Sequence, residues 1–128
     1  MTYNIVQIHY IIGHKGDGMM LEVLLGSVNK ERVLQYILAF EEGYAREIAR
    51  FYETDLTPIQ KQLEKLELGG VLISREAGRT RLYSFNPRYA FLGAMKELLE
   101  QARGYYPPEE IDRLTMVRKR PRRSEKKL

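Results

Sequence analysis

The sequence predicts a mainly helical chain with one small β-hairpin, an α+β class. Three observations lead there. Apolar residues recur at helical spacing from Met19 to Leu68 and again from Phe91 to Tyr105. Between Val71 and Phe85 the period changes from 3.6 to 2. Capping residues, glycines and prolines fall where these segments begin and end. At 128 residues the chain suits one compact domain with a tail.

The first helical run opens at Met19, where Leu21, Leu24, Leu25 and Val28 follow i, i+3, i+4, i+7 spacing, with Gly26–Ser27 interrupting. Ser27 is an N-cap type and predicts a helix to about Glu42, with Val33, Leu34, Ile37, Leu38 and Phe40 inward and Gly43 as the stop. Ala45, Ile48, Ala49 and Tyr52 mark a two-turn helix. After a short connection at Glu53–Thr54, Asp55 caps a helix with Pro58 in its first turn, where no intrahelical N–H is lost. That helix runs to Leu68 and ends at Gly69–Gly70, the residue type suited to a left-handed cap. Val71–Arg75 and Arg81–Phe85 then read as strands joined by Glu76–Thr80, with Gly78 at the bend. Asn86–Pro87 predicts an N-cap and a first-turn proline for a helix of roughly sixteen residues. Its stripe is Phe91, Met95, Leu98, Ala102 and Tyr105, flanked by Leu92 and Leu99. Pro107–Pro108 ends it, and Glu109–Met116 adds one or two turns. The organisation expected is an appendage over 1–18, a main domain over 19–106, a short helical extension over 107–117 and a basic tail over 118–128.

Charge is unevenly placed. The net charge is +4, yet the last eleven residues, RKRPRRSEKKL, hold seven of the 21 bases and one of the 17 acids. The tail alone is therefore +6, and the preceding 117 residues are −2. A basic run without apolar residues before its last position cannot pack, so a mobile arm is expected. It suits nucleic-acid contact by Arg118, Lys119, Arg120, Arg122 and Arg123, contact with an anionic membrane, or a solvated end with no partner.

Several function classes lose support. The chain has no cysteine, which removes disulfides, thiolate metal sites and thiol nucleophiles and favours a cytoplasmic home. No apolar run approaches the roughly 18 to 20 residues of a membrane span, and no secretory leader pattern opens the chain. Thr2–Ile12 reads as a short strand, or as an appendage before the Met19–Met20 start of the helical run. His9 and His14, both in the first eighteen residues, lack the ligand set of a metal site. No phosphate-binding glycine loop, HExxH or nucleophile elbow is present, so no enzyme, cofactor or metal is expected.

The order of a two-turn helix, a tight turn, a capped helix and a hairpin is the winged helix-turn-helix plan, here with flanking N- and C-terminal helices. If Ile59, Leu63 and Leu66 face the core, 100° per residue puts Thr57, Lys61 and Lys65 outward with Pro58 and Gln60 on the flanks. These side chains reach base edges and phosphates, and Arg75, Arg79, Thr80 and Arg81 place hydrogen-bond donors on the hairpin. Each has a plainer reading: Lys61 and Lys65 as a solvated face paired with Glu64 and Glu67, the hairpin arginines as solubility residues. Glu64 opposes a phosphate, and Leu68 on the same face is expected to pack under the wing. The conjunction of cap, turn, glycine stop, basic hairpin and basic tail carries the argument.

The stretch AREIARFYETDLTPIQKQLEKLELGGVLISREAGRTRLYSFNP, Ala45 to Pro87, closely resembles winged helix-turn-helix bacterial and archaeal transcriptional regulators of the ArsR-like kind. LLGSVNKERVLQYIL before it and RYAFLGAMKELL after it extend the resemblance to about Leu24–Arg103. It implies a homodimer joined through the first helix and the 88–105 helix. It also implies operator DNA held by Thr57, Pro58, Gln60, Lys61 and Lys65 of the recognition helix and by Arg79, Thr80 and Arg81 of the wing. Metal-sensing members use cysteine and histidine clusters. This chain has no Cys, and no His in the recognition helix or wing, so a metal response is not expected. The leading expectation is a sequence-specific regulator on double-stranded DNA. A winged-helix adaptor binding protein is the rival, favoured by the −2 body, and RNA binding through the arm and tyrosines is a third reading.

Overall fold

A computed structural model describes residues 18–116. In chain order these form α1 (Glu22–Leu25), α2 (Val28–Phe40), α3 (Ala45–Phe51), α4 (Leu56–Leu68), β1 (Leu72–Ala77), β2 (Thr80–Phe85), α5 (Leu92–Arg103) and α6 (Pro108–Met116). The described part is thus mainly helical with one two-stranded antiparallel hairpin. The Thr2–Ile12 strand, His9, His14 and the basic residues Arg118, Lys119, Arg120, Arg122 and Arg123 lie outside it.

Helix α2 is the centre of the body, packing against α4, α5, α6 and β2. Its inward residues Val33, Leu34 and Ile37 are buried, whereas Leu38 and Phe40 are only partly so. Around them close Ile48 and Ala49 of α3, Ile59, Leu63 and Leu66 of α4, Leu72 and Tyr83 of the hairpin, Leu99 and Ala102 of α5, and Leu114 of α6. Ser27 caps α2, its hydroxyl accepting from the Lys30 amide at 3.1 Å. Ser27→Ala should therefore destabilise the fold by about 1 kcal/mol, read as a lower urea midpoint at unchanged slope.

Helix α2 stops earlier than the glycine suggested, at Glu41, which is left-handed at φ 75°. Gly43 serves a different purpose. Its amide donates to the Tyr83 carbonyl at 3.0 Å and its carbonyl accepts from the Tyr83 amide at 2.8 Å. This isolated bridge ties β2 to the α2–α3 turn. A Cβ there would fall 2.7 Å from Tyr36 Cε1, so the backbone fits only because the residue is glycine.

Four local expectations change. The hairpin is longer than its alternation suggested, pairing from Leu72↔Phe85 to Ala77↔Thr80 around a two-residue loop, Gly78–Arg79. Gly78 has φ 65° and Arg79 is not in the positive-φ region, the type II′ pattern whose twist suits a hairpin. Asp55 occupies the N-cap position of α4 but makes no side-chain cap bond. Asn86 does not open the next helix. Its amide side chain donates to the Gly70 carbonyl at 2.8 Å and its side-chain oxygen accepts from the Arg88 amide at 3.0 Å. The polar groups that suggested a cap are thus engaged in pinning the end of β2 to the start of β1. The expected 88–105 helix is consequently Leu92–Arg103. Lastly, Leu68 does not pack under the hairpin; it is 90 % exposed.

The interior contains charge. Glu31 and Gln35 of α2 are 0 % exposed. The Glu31 carboxylate accepts from the backbone amides of Met20 at 2.9 Å and Leu21 at 2.6 Å and from the Tyr106 hydroxyl at 2.5 Å. Gln35 Nε2 donates to the Leu99 carbonyl at 2.7 Å, and its Oε1 accepts from Arg103 Nε at 3.3 Å. One face of α2 therefore binds both the segment before α1 and the α5–α6 connection. Such groups are tolerated inside because distant donors and acceptors satisfy them.

Candidate functional site

Helix α4 carries Ile59, Leu63 and Leu66 inward at helical spacing, and all three are buried. The same periodicity turns Thr57, Gln60, Lys61 and Lys65 to the exposed side, with Pro58 half-buried in the first turn. Among the described residues, neither Lys61 nor Lys65 forms an ion pair. The pairing with Glu64 and Glu67 that would have made this a self-satisfied face does not occur. Glu67 instead accepts from the Ser74 hydroxyl at 2.7 Å, fastening the end of α4 to β1.

The hairpin loop and the start of α3 meet α4 around an open cleft of about 390 Å³. Four of the expected contact residues line it: Gln60, Arg79, Thr80 and Arg81. Leu56, Leu63 and Ala45 also line it, supplying apolar surface, and Glu64 brings one negative charge. Thr57, Pro58, Lys61 and Lys65 are not among the lining residues and stay on the outer surface of α4.

The hairpin arginines divide by their partners. Arg81 is held by Glu76 Oε2 at 2.9 Å and the Ser74 hydroxyl at 3.0 Å. Arg75 pairs with Glu42 at 3.2 Å and is not among the cleft's lining residues. The Thr80 hydroxyl donates to the Ala77 carbonyl at 2.9 Å and closes the loop. Arg79, at the loop itself, has no ion pair among the described residues. Arg46, which the sequence reading missed, also lines the cleft from α3 and is exposed with no ion pair among those residues. Its signal was partial: at 100° per residue Arg46 lies about 200° from the inward Ile48 but only about 60° from Ala49, a flanking position.

Tyr83, itself buried, also lines the cleft. Burial pushes its phenol above the ordinary value of 10.0, reinforced by Glu67 and Glu64 and opposed by Arg81. It therefore presents a neutral hydroxyl. The site as a whole offers three guanidinium groups, that of Arg81 held by Glu76, with two ammonium groups, an amide and hydroxyls, a donor-rich surface able to meet anions and polar edges. Among the described residues no group of three or more His, Cys, Asp or Glu could hold a metal, and no helix is long and apolar enough to cross a membrane.

Comparison with protein-family models, with curated proteins and with solved structures returned no match to this chain.

Proposed function

We propose that this chain is a sequence-specific DNA-binding transcriptional regulator of the winged helix-turn-helix kind, ArsR-like in plan and without a metal response. In this reading α3 and α4 are the helix-turn-helix, α4 enters the major groove and the hairpin is the wing. The observation that carries it is that Gln60 of α4 shares one cleft with Arg79 and Arg46, while Lys61 and Lys65, without ion pairs among the described residues, lie on the outer surface of the same helix. Gln60 and Lys61 are suited to base edges, because amide and ammonium groups discriminate among them. Lys65, Arg79 and Arg46 are suited to phosphates. Arg81 is better placed to stiffen the wing through Glu76 and Ser74 than to leave them for DNA.

A homodimer completes the reading. Val23 is 97 % and Phe91 66 % exposed, with Leu24 and Tyr105 also exposed, so α1 and the ends of α5 carry apolar surface the body does not cover. Two copies would address half-sites about one helical turn apart.

Selection of random duplex DNA by the full chain, at physiological salt with excess non-specific competitor, tests this reading. An enriched palindrome supports it, and no enriched sequence overturns it. Lys61→Ala should then cost about 1–3 kcal/mol on the selected site and relax preference at one base position, while binding of unrelated duplex changes little.

The second reading is a winged-helix adaptor that binds protein. Leu68, nearly fully exposed on the outer face of α4, favours it, because a large apolar side chain gains nothing from phosphates. A chain that selects no DNA yet captures one stoichiometric protein, lost in Leu68→Glu, would establish that alternative.

A further inference from the structure

The cleft between α3, α4 and the hairpin loop holds charges of both signs. Arg46, Arg79 and Arg81 line it together with Glu64. Glu64 pairs with none of them, and Arg46 and Arg79 likewise have no ion pair among the described residues. Of the three arginines only Arg81 is committed, to Glu76 and Ser74 on the hairpin. The Glu64 charge is felt at the Tyr83 phenol in the same cleft, which burial first, and then Glu67 and Glu64, hold above the ordinary value of 10.0.

An acid and two guanidinium groups that share a cleft without pairing leave room for a molecule that bridges them. A duplex phosphate meets only half of this set, because it attracts the arginines and is repelled by Glu64. A molecule with one anionic and one cationic group meets both halves. The cleft also presents apolar surface from Ala45, Leu56 and Leu63, and Leu56 is only partly buried. Its volume of about 390 Å³ falls within the roughly 300–1,000 Å³ of small-molecule sites, where a few placed polar groups interrupt an apolar lining.

We propose that this cleft binds a free α-amino acid with an apolar side chain. The ligand's carboxylate meets Arg46 and Arg79, its ammonium group meets Glu64, and its side chain lies on Ala45, Leu56 and Leu63. Both polar contacts are charge-assisted hydrogen bonds, the stronger kind. The regulatory consequence rests on the DNA reading above. Gln60, Arg46 and Arg79 are the groups that reading assigns to the duplex, so the amino acid and DNA exclude one another and the amino acid releases the regulator from its site.

An NMR titration of the isotope-labelled full chain with L-phenylalanine tests the site without DNA. Saturable shifts are expected at the Gln60 side-chain amide and at the backbone amides of Ala45, Arg79 and Thr80. Hydrocinnamate lacks the ammonium group, phenethylamine lacks the carboxylate, and free glycine lacks the side chain. Each should bind at least about tenfold more weakly than phenylalanine. In Glu64→Gln phenylalanine should lose its advantage over hydrocinnamate, and in Arg79→Gln its advantage over phenethylamine should shrink. Absence of saturable shifts at the cleft residues overturns the proposal. So does hydrocinnamate or glycine binding the unsubstituted chain as tightly as phenylalanine, a result that needs no variant to fold. Competition is read separately, as a fall in affinity for the selected duplex when phenylalanine is added. An unchanged affinity with the cleft saturated overturns mutual exclusion. Failure of the DNA reading is distinguishable, because it removes the selected duplex and leaves the shifts in place.

Discussion

Glu31→Ala is expected to be the most damaging single change in the body, costing about 3–5 kcal/mol. The carboxylate is fully buried and receives two backbone amides and the Tyr106 hydroxyl. Truncation leaves three donors without that acceptor and opens a void between α2, the segment before α1 and the α5–α6 connection. Glu31→Gln keeps the shape and one acceptor oxygen but turns an NH2 group toward the donors at the other oxygen, so it should cost less than Glu31→Ala without restoring the full stability. Urea unfolding followed by circular dichroism reads both, and equal losses would show that shape contributes little and that hydrogen-bond acceptance by both carboxylate oxygens is what Glu31 supplies.

The same cluster has a pH signature. Burial drives the Tyr106 hydroxyl far above its ordinary value of 10.0, with the Glu31 carboxylate adding to the shift. The folded state therefore keeps this proton when the unfolded state begins to release it. The contribution of Tyr106 is complete below about pH 10 and is lost as pH rises further, by up to about 1.4 kcal/mol per pH unit. Tyr106→Phe should lower stability at neutral pH and flatten the alkaline decline. An unchanged slope above pH 10 would contradict the buried-donor assignment.

The second large effect is expected at Gly43. Gly43→Ala places a methyl group 2.7 Å from Tyr36 Cε1, 3.0 Å from Tyr36 Cδ1 and 3.3 Å from Ile48 Cδ1. Tyr36 is buried and packed against Phe40 and Phe51 at ring separations of 4.5 and 5.3 Å, so it cannot swing aside freely. Overpacking of this kind costs about 1–3 kcal/mol. The relief available is for the Gly43–Tyr83 bridge to open, releasing β2 from the α2–α3 turn. Faster amide exchange at Tyr83 than in the unsubstituted chain is the expected readout. A regulator of the proposed kind would also lose DNA affinity, since the hairpin would no longer be held beside α4.

Local rules account for much of this molecule. The Ser27 cap, the inward faces of α2 and α4, the left-handed Gly70 after α4 and the change to strand period after it all depend on residues a few positions apart. So does the outward set Thr57, Lys61 and Lys65, which follows once Ile59, Leu63 and Leu66 are placed inside. Asn86 shows where such rules fail. Its composition suits a helix cap and a strand-end clamp equally, and only the Gly70 carbonyl 2.8 Å away selects the clamp.

By itself, then, the sequence determined the helix and hairpin segments, the polar face of α4 and the concentration of positive charge after Val117, because spacing, caps and charge act over a few residues. Tertiary structure decided which polar groups go inside and which arginines are committed. Glu31 and Gln35 are buried because Met20, Leu21, Leu99, Arg103 and Tyr106 bring donors and acceptors from up to 75 positions away. Arg81 is tied to Glu76 and Ser74 across the hairpin, Arg113 is bolted to the end of α3, and Arg46 joins Arg79 at the cleft. A charged side chain carries no local mark of its partner. Its role is settled by which distant group lies within about 3 Å once the core has closed.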